Sequence, residues 1–182
     1  MIKLVLVIAG PTASGKSDLA VKIASQFNGE IINADSRQVY KGMEIGTNAP
    51  NSDFKTKIPH HLFSIFDPNQ DFNVALYKPM AIKKISEIHQ RNKLPIIVGG
   101  TGQYVWSLLE GWNIPNISPN LEYRQFLKDK AENGLSQELY NDLIDIDPDS
   151  ALTINRNNIR RIIRALEIFQ ATGDPPSSLK TK

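Results

Sequence analysis

The sequence has no cysteine among its 182 residues. Disulfide bonds, thiol catalysis and cysteine-based zinc sites are therefore excluded. Long apolar runs are also missing, since none reaches the ~18 residues that a membrane-spanning helix needs. The formal net charge is only +2, from 21 basic and 19 acidic residues. This small excess does not by itself indicate a nucleic-acid partner, so any basic surface must come from local clustering.

The opening of the chain has the pattern of a strand, a phosphate-binding loop and a helix. Residues 3–9 are apolar and β-branched, which favours a strand buried on both faces of a parallel sheet. Residues 10–17 read GPTASGKS and fit the P-loop pattern, and an amphipathic helical pattern follows from Asp18. The predicted phosphate-binding residues are Gly10, Pro11, Thr12, Ala13, Ser14, Gly15, Lys16 and Ser17. In such a loop the lysine supplies a charge and the Ser17 hydroxyl can ligate Mg²⁺.

Two more apolar segments predict strands that end in polar residues or glycine. Residues 30–34 are followed by Asp35, and residues 94–98 are followed by Gly99-Gly100-Thr101-Gly102. Ligands bind at the carboxyl edge of parallel sheets, so we expect Asp35 to face the phosphate site. The glycine-rich turn has two interpretations: a ligand-contacting turn in which Thr101 donates a hydrogen bond, or a turn with purely structural glycines.

Less regular sequence lies between these strands. Residues 36–47 are polar and glycine-punctuated, and their length for a connection favours a functional loop. Residues 48–72 have no clear periodicity, apart from a possible short strand and turn over 62–68. They include the pair His60-His61, for which ring packing or a hydrogen bond is a better interpretation than a metal site. A helical pattern then covers residues 73–92, in which Pro79 is tolerable if it lies in the first turn.

The second part of the chain is expected to be helical. Patterns run over about 121–132, 136–144 and 151–171, and the last carries the basic stripe Arg156, Arg160, Arg161 and Arg164. Either a solvated face or a contact to phosphate backbone would explain that stripe. The predicted class is α/β: a P-loop NTPase-like parallel sheet flanked by helices, with a small all-helical insertion. The expected parts are an α/β core at 1–115, a helical insertion at 116–155, and 156–182 with a helix returning to the core.

Five motifs, in this order, resemble those of the tRNA dimethylallyltransferase (tRNA isopentenyltransferase) family. They span residues 10–17, 34–47, 60–62, 99–104 and 161–167. The resemblance implies transfer of a prenyl group from dimethylallyl diphosphate to the exocyclic amine of an adenosine beside the tRNA anticodon. The P-loop would then hold a prenyl diphosphate, with Mg²⁺ on Ser17. The implied partners are the anticodon stem-loop of tRNA and dimethylallyl diphosphate, and we expect a cytoplasmic monomer that does not bind membranes.

The resemblance also implies roles for individual residues. Asp35 matches the general base, although an aspartate that holds Mg²⁺ through water is an alternative. Thr101 matches a residue that assists at the same centre, and Lys16 would stabilise the negative charge that develops on the pyrophosphate leaving group. The implied tRNA-binding residues are Asp35, Ser36, Arg37, Gln38, Thr101, Arg124, Arg160, Arg161 and Arg164.

Other functions fit parts of the pattern. An adenylate isopentenyltransferase would act on free AMP, a P-loop small-molecule kinase would bind ATP, and a fragment of the family could bind RNA without catalysis. The helical segment at 119–155 argues against the first, because a free nucleotide needs no such appendage. Family members continue past the last helix, so we expect this chain to be a C-terminally truncated form.

Overall fold

The computed structural model describes residues 3–47 and 58–180, and these form two compact units, Met1–Leu109 and Glu110–Lys182. The irregular stretch expected over 48–72 lies partly outside the described residues. The three-part division at 1–115, 116–155 and 156–182 stays a prediction.

The first unit is built on a four-stranded sheet in the described residues. Its strands are β1 (Leu6–Ala9), β2 (Gly29–Asn33), β3 (His60–His61) and β4 (Leu94–Gly99). They are parallel and lie in the order β1-β4-β2-β3. The predicted parallel α/β class is therefore confirmed.

Helices cover both faces of this sheet. One face packs on α1 (Lys16–Gln26) through Ala20 and Ala24. The other packs on α2 (Val74–Gln90) and α3 (Gly102–Leu109) through side chains that include Ala81 and Val105. β2 and β4 are nearly or wholly buried because they occupy the middle of the sheet.

Two expectations about local structure in the first unit were wrong. β1 begins at Leu6, not residue 3, and is half-buried, because within the described residues it lies at the sheet edge and pairs only with β4. After α1 the chain turns through Asn28, which has a left-handed φ of 51°. Gly29 is the first residue of β2, where a Cβ would lie 2.7 Å from Ile96 Cδ1. Pro79 lies inside α2, whose N-cap Asn73 accepts from the amides of Ala75 and Leu76.

The second unit is helical in its described residues. It contains α4 (Leu121–Lys130), a π-type turn (Ala131–Leu135), α5 (Ser136–Ile146), α6 (Pro148–Thr153) and α7 (Ile159–Thr172). Its core joins α4, α5 and α7 through Leu127, Leu139, Leu143 and Ile162. The single helix expected over 151–171 is two helices, because Asn158 caps α7 by accepting a hydrogen bond from the amide of Arg161. α7 ends at the left-handed Gly173, before the prolines. Its return to the α/β core stays a prediction.

Candidate active site

The P-loop connects β1 to the first turn of α1. Ala13 and Gly15 have φ values of 63° and 77°, which turn the backbone through the left-handed region. Gly15 is the N-cap of α1 and has no side chain that could cap the helix. The first-turn amides and the positive end of the helix dipole therefore remain suited to an anion.

Side chains of the loop hold it closed. The Ser14 hydroxyl donates to the Pro11 carbonyl at 2.9 Å, and the Lys16 ammonium donates to the same carbonyl. The Lys16 Nζ also lies 3.4 Å from Ser14 Oγ. The lysine charge is thus placed directly against the loop whose amides would face phosphate.

A cavity of about 230 Å³ adjoins the P-loop within the first unit. Its polar lining includes Thr12, Lys16, Ser17, Asp18, Asp35 and Gln38. Its apolar lining includes Ala20, Val21, Ile31, Phe63 and Val98. A cavity with cationic, acidic and hydrocarbon walls suits a ligand that joins an anionic group to an apolar one.

Asp35 lies immediately beyond the carboxyl end of β2 and contributes to this cavity. Its Oδ1 accepts a hydrogen bond from the Arg37 amide at 2.8 Å. Within the described part of the chain, no hydrogen bond involves its second oxygen, Oδ2. One carboxylate oxygen therefore orients the group, and the other remains able to accept a proton from a ligand.

Thr101 connects the glycine-rich turn to the end of β2. Its amide donates to the Ala34 carbonyl at 3.1 Å, and its Oγ1 accepts from the Ser36 amide at 2.9 Å. The hydroxyl proton of Thr101 is therefore left for another acceptor. The two backbones approach so closely here that a Cβ on Gly99 would lie 2.2 Å from the Ala34 carbonyl carbon. Gly99 is thus required for packing, and Gly99 and Gly100 also line the cavity.

The loop over 36–47 is held to the segment that follows β3. The Ser64 amide donates to the Gln38 carbonyl at 3.0 Å, and the amides of Ile65 and Phe66 donate to the Val39 carbonyl. The Ser64 hydroxyl also donates to Glu44 Oε1 at 2.6 Å. These bonds give a sequence without periodicity a defined position beside the cavity.

An aromatic cluster forms around Tyr104 of α3. Tyr104 stacks on Tyr77 with 4.2 Å between ring centroids, and Phe72 meets Tyr104 edge-on. Burial raises the pKa of Tyr104 to about 12, with further contributions from Tyr40 and the negative charge of Asp35. Tyr104 is therefore a neutral hydroxyl at physiological pH. Tyr104 belongs to the motif 99–104, but its sequence context predicted no role for its side chain.

The histidine pair makes the expected packing and hydrogen bonds. His60 Nδ1 lies 2.7 Å from the Ile58 carbonyl, and its ring packs edge-on against Phe63. His61 Nε2 lies 2.7 Å from Oε2 of the buried Glu30. Because a carboxylate only accepts, this nitrogen carries the proton.

Glu30 forms a charged cluster at the amino end of β2, whereas Asp35 follows its carboxyl end. Arg91 Nη2 lies 2.6 Å and Lys93 Nζ 3.0 Å from its carboxylate. Burial would raise the pKa of Glu30, but the hydrogen bonds from Arg91, His61 and Lys93 outweigh it and lower the pKa to about 2. This cluster ties β2 to β3 and to the segment after α2.

Four of the five arginines implied as tRNA contacts lie in the second unit, and these four separate into two pairs. Arg124 forms two 2.8 Å hydrogen bonds to the buried Glu167, and Arg164 binds the same carboxylate. Arg160 and Arg161 are exposed, and among the described residues they form no ion pair. The tRNA-contact roles of all four stay predictions. Two of them have a packing role that their sequence positions did not indicate.

Comparison with known families connects these features. The model of the family described as "IPP transferase" matches residues 38–182, and that described as "Isopentenyl transferase" matches residues 3–58. The chain belongs to the IPP transferase family.

Relatives of this IPP transferase family member are longer than the chain itself. The tRNA dimethylallyltransferase of Roseiflexus sp. is 46% identical over 181 residues, which is 100% of this chain and 59% of that protein. The tRNA dimethylallyltransferase of Herpetosiphon aurantiacus is 44% identical and matches 98% of this chain and 57% of its own length. The chain therefore spans less than two thirds of the curated relatives it matches.

Solved structures show the same fold. The full-length tRNA isopentenylpyrophosphate transferase from Bacillus halodurans is 42% identical with a TM-score of 0.61, over 96% of this chain and 57% of that one. A eukaryotic dimethylallyltransferase acting on tRNA is 36% identical with a TM-score of 0.74, over 96% of this chain and 43% of that one. The fold of this family member is thus P-loop NTPase-like.

Sequence reasoning missed several residues of the site. It gave no role to the apolar lining residues Val21, Ile31, Phe63 and Val98, because apolar residues in strands and helices are expected in any core. It also overlooked Asn33, although a polar residue inside an apolar strand is a recognisable signal.

Proposed function

We propose that the protein carrying this chain transfers a dimethylallyl group from dimethylallyl diphosphate to the exocyclic amine of an adenosine beside the tRNA anticodon. The observation that carries the proposal is the shared cavity of the P-loop and Asp35. One wall offers a lysine and helix amides for a diphosphate, and another offers apolar side chains for a five-carbon chain. The relatives named tRNA dimethylallyltransferase support the same assignment.

In the proposed reaction, a carbon–nitrogen bond forms as the carbon–oxygen bond to diphosphate breaks. The amine proton passes to Oδ2 of Asp35, and pyrophosphate leaves with the electron pair of the broken bond. Lys16 and the first-turn amides of α1 stabilise the negative charge that develops on the leaving group. An aromatic amine is a weak nucleophile because its lone pair is delocalised, so proton removal during attack helps it react.

The residues of the cavity are compatible with Mg²⁺. Mg²⁺ prefers oxygen ligands and is commonly held by one or two protein groups together with substrate phosphates. The Ser17 hydroxyl would hold it, with Asp18 and Asp35 lining the same cavity. When bound, the ion would neutralise part of the charge on the diphosphate.

Recognition of tRNA requires the target base to leave the anticodon stack. Ser36, Arg37 and Gln38 follow Asp35 directly and are proposed to contact the flipped nucleotide. Arg160 and Arg161 are proposed to contact phosphates of the RNA because they are exposed and basic. No described helix is long and apolar enough to cross a membrane. A cytoplasmic location and a monomeric state stay predictions.

A transfer assay with labelled dimethylallyl diphosphate tests the function in the full-length protein. Three reactions, with tRNA, with AMP and without an acceptor, separate the candidates. Labelled tRNA alone supports the proposal, and labelled AMP indicates an adenylate isopentenyltransferase. Calorimetry completes the test: ATP binding much more tightly than dimethylallyl diphosphate would indicate a kinase.

The role of Asp35 is tested by Asp35→Asn, which keeps the side-chain size but cannot accept the proton. We expect a loss of about 10²–10⁴-fold in the transfer rate, with diphosphate affinity almost unchanged. If the variant instead loses Mg²⁺-dependent diphosphate binding and keeps its rate at saturating ligand, Asp35 supports the metal and the base lies elsewhere.

A further inference from the structure

Asn33 is a completely buried polar residue within β2. It lies between Ile32 and Ala34, which belong to the apolar core on one face of the sheet. A buried amide destabilises the fold unless its polar atoms find partners. The contacts of Asn33 therefore indicate why the strand holds a polar residue here.

The Asn33 side chain holds the backbone of Asp35 on both sides. Its Oδ1 accepts from the Asp35 amide at 2.9 Å, and its Nδ2 donates to the Asp35 carbonyl at 3.0 Å. Nδ2 also donates to the Leu62 carbonyl at 3.0 Å. Both amide hydrogens and the amide oxygen are thus used, and two of the three bonds go to one residue.

The third bond reaches the segment that supports the 36–47 loop. Leu62 and Ser64 have φ values of 63° and 50°, a left-handed conformation that non-glycine residues rarely adopt. Such backbone persists only where the surrounding contacts impose it. The Ser64 amide in turn holds the Gln38 carbonyl. Asn33 therefore joins Asp35 to the same segment that places Gln38 at the cavity.

We propose that Asn33 is a positioning residue that fixes the direction of the Asp35 carboxylate. The inference rests on the proposed function, in which Asp35 accepts the amine proton. Because both backbone groups of Asp35 are bound, its Cα–Cβ bond has a fixed direction, and the Arg37 amide then fixes Oδ1. Oδ2 is thereby directed to one place. A displacement of about 1 Å at a reacting group can cost 10²-fold in rate, so this hold affects catalysis and not only stability.

Two substitutions of Asn33 remove different numbers of its hydrogen bonds. Asn33→Ala removes all three hydrogen bonds. Asn33→Ser keeps a short side chain that can accept from the Asp35 amide, but its single hydrogen cannot serve both carbonyls. Ser107→Ala is the matched control, because it removes a buried hydrogen bond on α3, from Ser107 to the Tyr104 carbonyl, without changing any contact of Asp35.

The experiment measures single-turnover prenyl transfer to tRNA in the protein as its own gene encodes it. For Asn33→Ala we expect the rate at saturating substrates to fall about 10- to 100-fold, with an unchanged KM for dimethylallyl diphosphate. Asn33→Ser should recover part of that rate, and Ser107→Ala should keep it. If Asn33→Ala does not fold, Asn33→Ser alone decides. An unchanged rate in a variant with a lowered melting temperature would overturn the proposal.

A nuclear magnetic resonance measurement separates this proposal from the proposed function. Three-bond couplings report the χ1 angle of Asp35, which we expect to hold one rotamer in the wild-type protein and Ser107→Ala, and to average in the Asn33 variants. A single rotamer in all of them would contradict the positioning role. If Asp35→Asn leaves the transfer rate intact, the proposed base is wrong, and the couplings still show whether Asn33 orients residue 35.

Discussion

In the described residues each of the two units buries one glutamate, Glu30 in a strand and Glu167 in a helix. Glu30 lies at the amino end of β2, and its partners Arg91 and Lys93 follow α2. Glu167 lies on α7 and binds Arg124 from α4 and Arg164 from its own helix. The first cluster joins a strand to its neighbours, whereas the second joins two helices through long side chains.

The two clusters also differ in how they relate to the residues that are predicted to contact ligands. In the first unit the length of β2 separates the Glu30 cluster from the cavity, where Asp35 lies. In the second unit Glu167 binds Arg124 and Arg164, two of the arginines that are predicted to contact RNA. The remaining pair, Arg160 and Arg161, is therefore a sharper candidate for that contact than the stripe as a whole.

The largest loss of stability is expected where two backbone segments are in direct contact, as Gly99 and Ala34 are in the first unit. Gly99→Ala places a Cβ 2.2 Å from the Ala34 carbonyl, which neither strand can relieve without moving. We expect a loss above ~4 kcal/mol in the free energy of unfolding, or no folded protein. Gly134→Ala in the second unit is the control, since nothing lies within 4 Å of its Cβ. Its left-handed backbone predicts a cost of about 1–2 kcal/mol. Equal losses in urea unfolding would remove this distinction between the units.

The next effect concerns acid stability. The pKa of Glu30 is about 2 in the folded protein against an ordinary value of 4.5, so its stabilisation is present above pH 4.5 and is lost as the pH falls towards 2. Glu30→Gln imitates the protonated carboxyl and should lower the free energy of unfolding at pH 7 by on the order of 3 kcal/mol. Its stability should also depend less on pH between 4.5 and 2.

Two further variants check the assignment to Glu30. Hydrogen bonds from Arg124 and Arg164 overcome the effect of burial and lower the pKa of Glu167, so Glu167→Gln should act in the same direction. Glu87→Gln changes a partly exposed ion pair with Lys84 on the surface of α2 and should have little effect, because such pairs contribute little to stability. A pH dependence of Glu30→Gln that matches the wild-type protein would show that the cluster is not the source of acid sensitivity.

The smallest effect on stability is expected at the exposed arginines. Replacing Arg160 and Arg161 with Ala should reduce the slope of log K against log salt for tRNA binding by about 1–2. Each phosphate contact releases about one counterion when it forms, so each contact that is lost lowers the slope. The melting temperature should not change. Arg124→Ala should do the reverse, with a loss of about 1–3 kcal/mol in the free energy of unfolding and an unchanged slope, because Glu167 loses its bidentate partner. A reduced slope for Arg124→Ala would instead indicate that Arg124 contacts RNA phosphate.

The parallel α/β fold could be predicted because its signals are local. An apolar run, a P-loop and a helical pattern are contiguous in sequence, and the carboxyl edge of the sheet then follows from geometry. The half-burial of β1 could not be predicted, because an apolar run does not indicate how many other strands pair with it. Pairings such as Arg124 with Glu167, 43 residues apart, leave no local pattern either. The placement of Asp35 beside the P-loop followed from the strand pattern, whereas its hold by Asn33 depended on hydrogen bonds that only coordinates show.

The edge position of β1 links ligand binding to the stability of the strand. Within the described residues β1 has β4 as its only paired neighbour, and it leads directly into the P-loop. A diphosphate that binds only the closed loop must therefore also favour the paired strand, by RT ln(1 + [L]/Kd). At a ligand concentration of 100 Kd this amounts to about 2.7 kcal/mol. A bound diphosphate would then stabilise the strand that leads into its own binding loop.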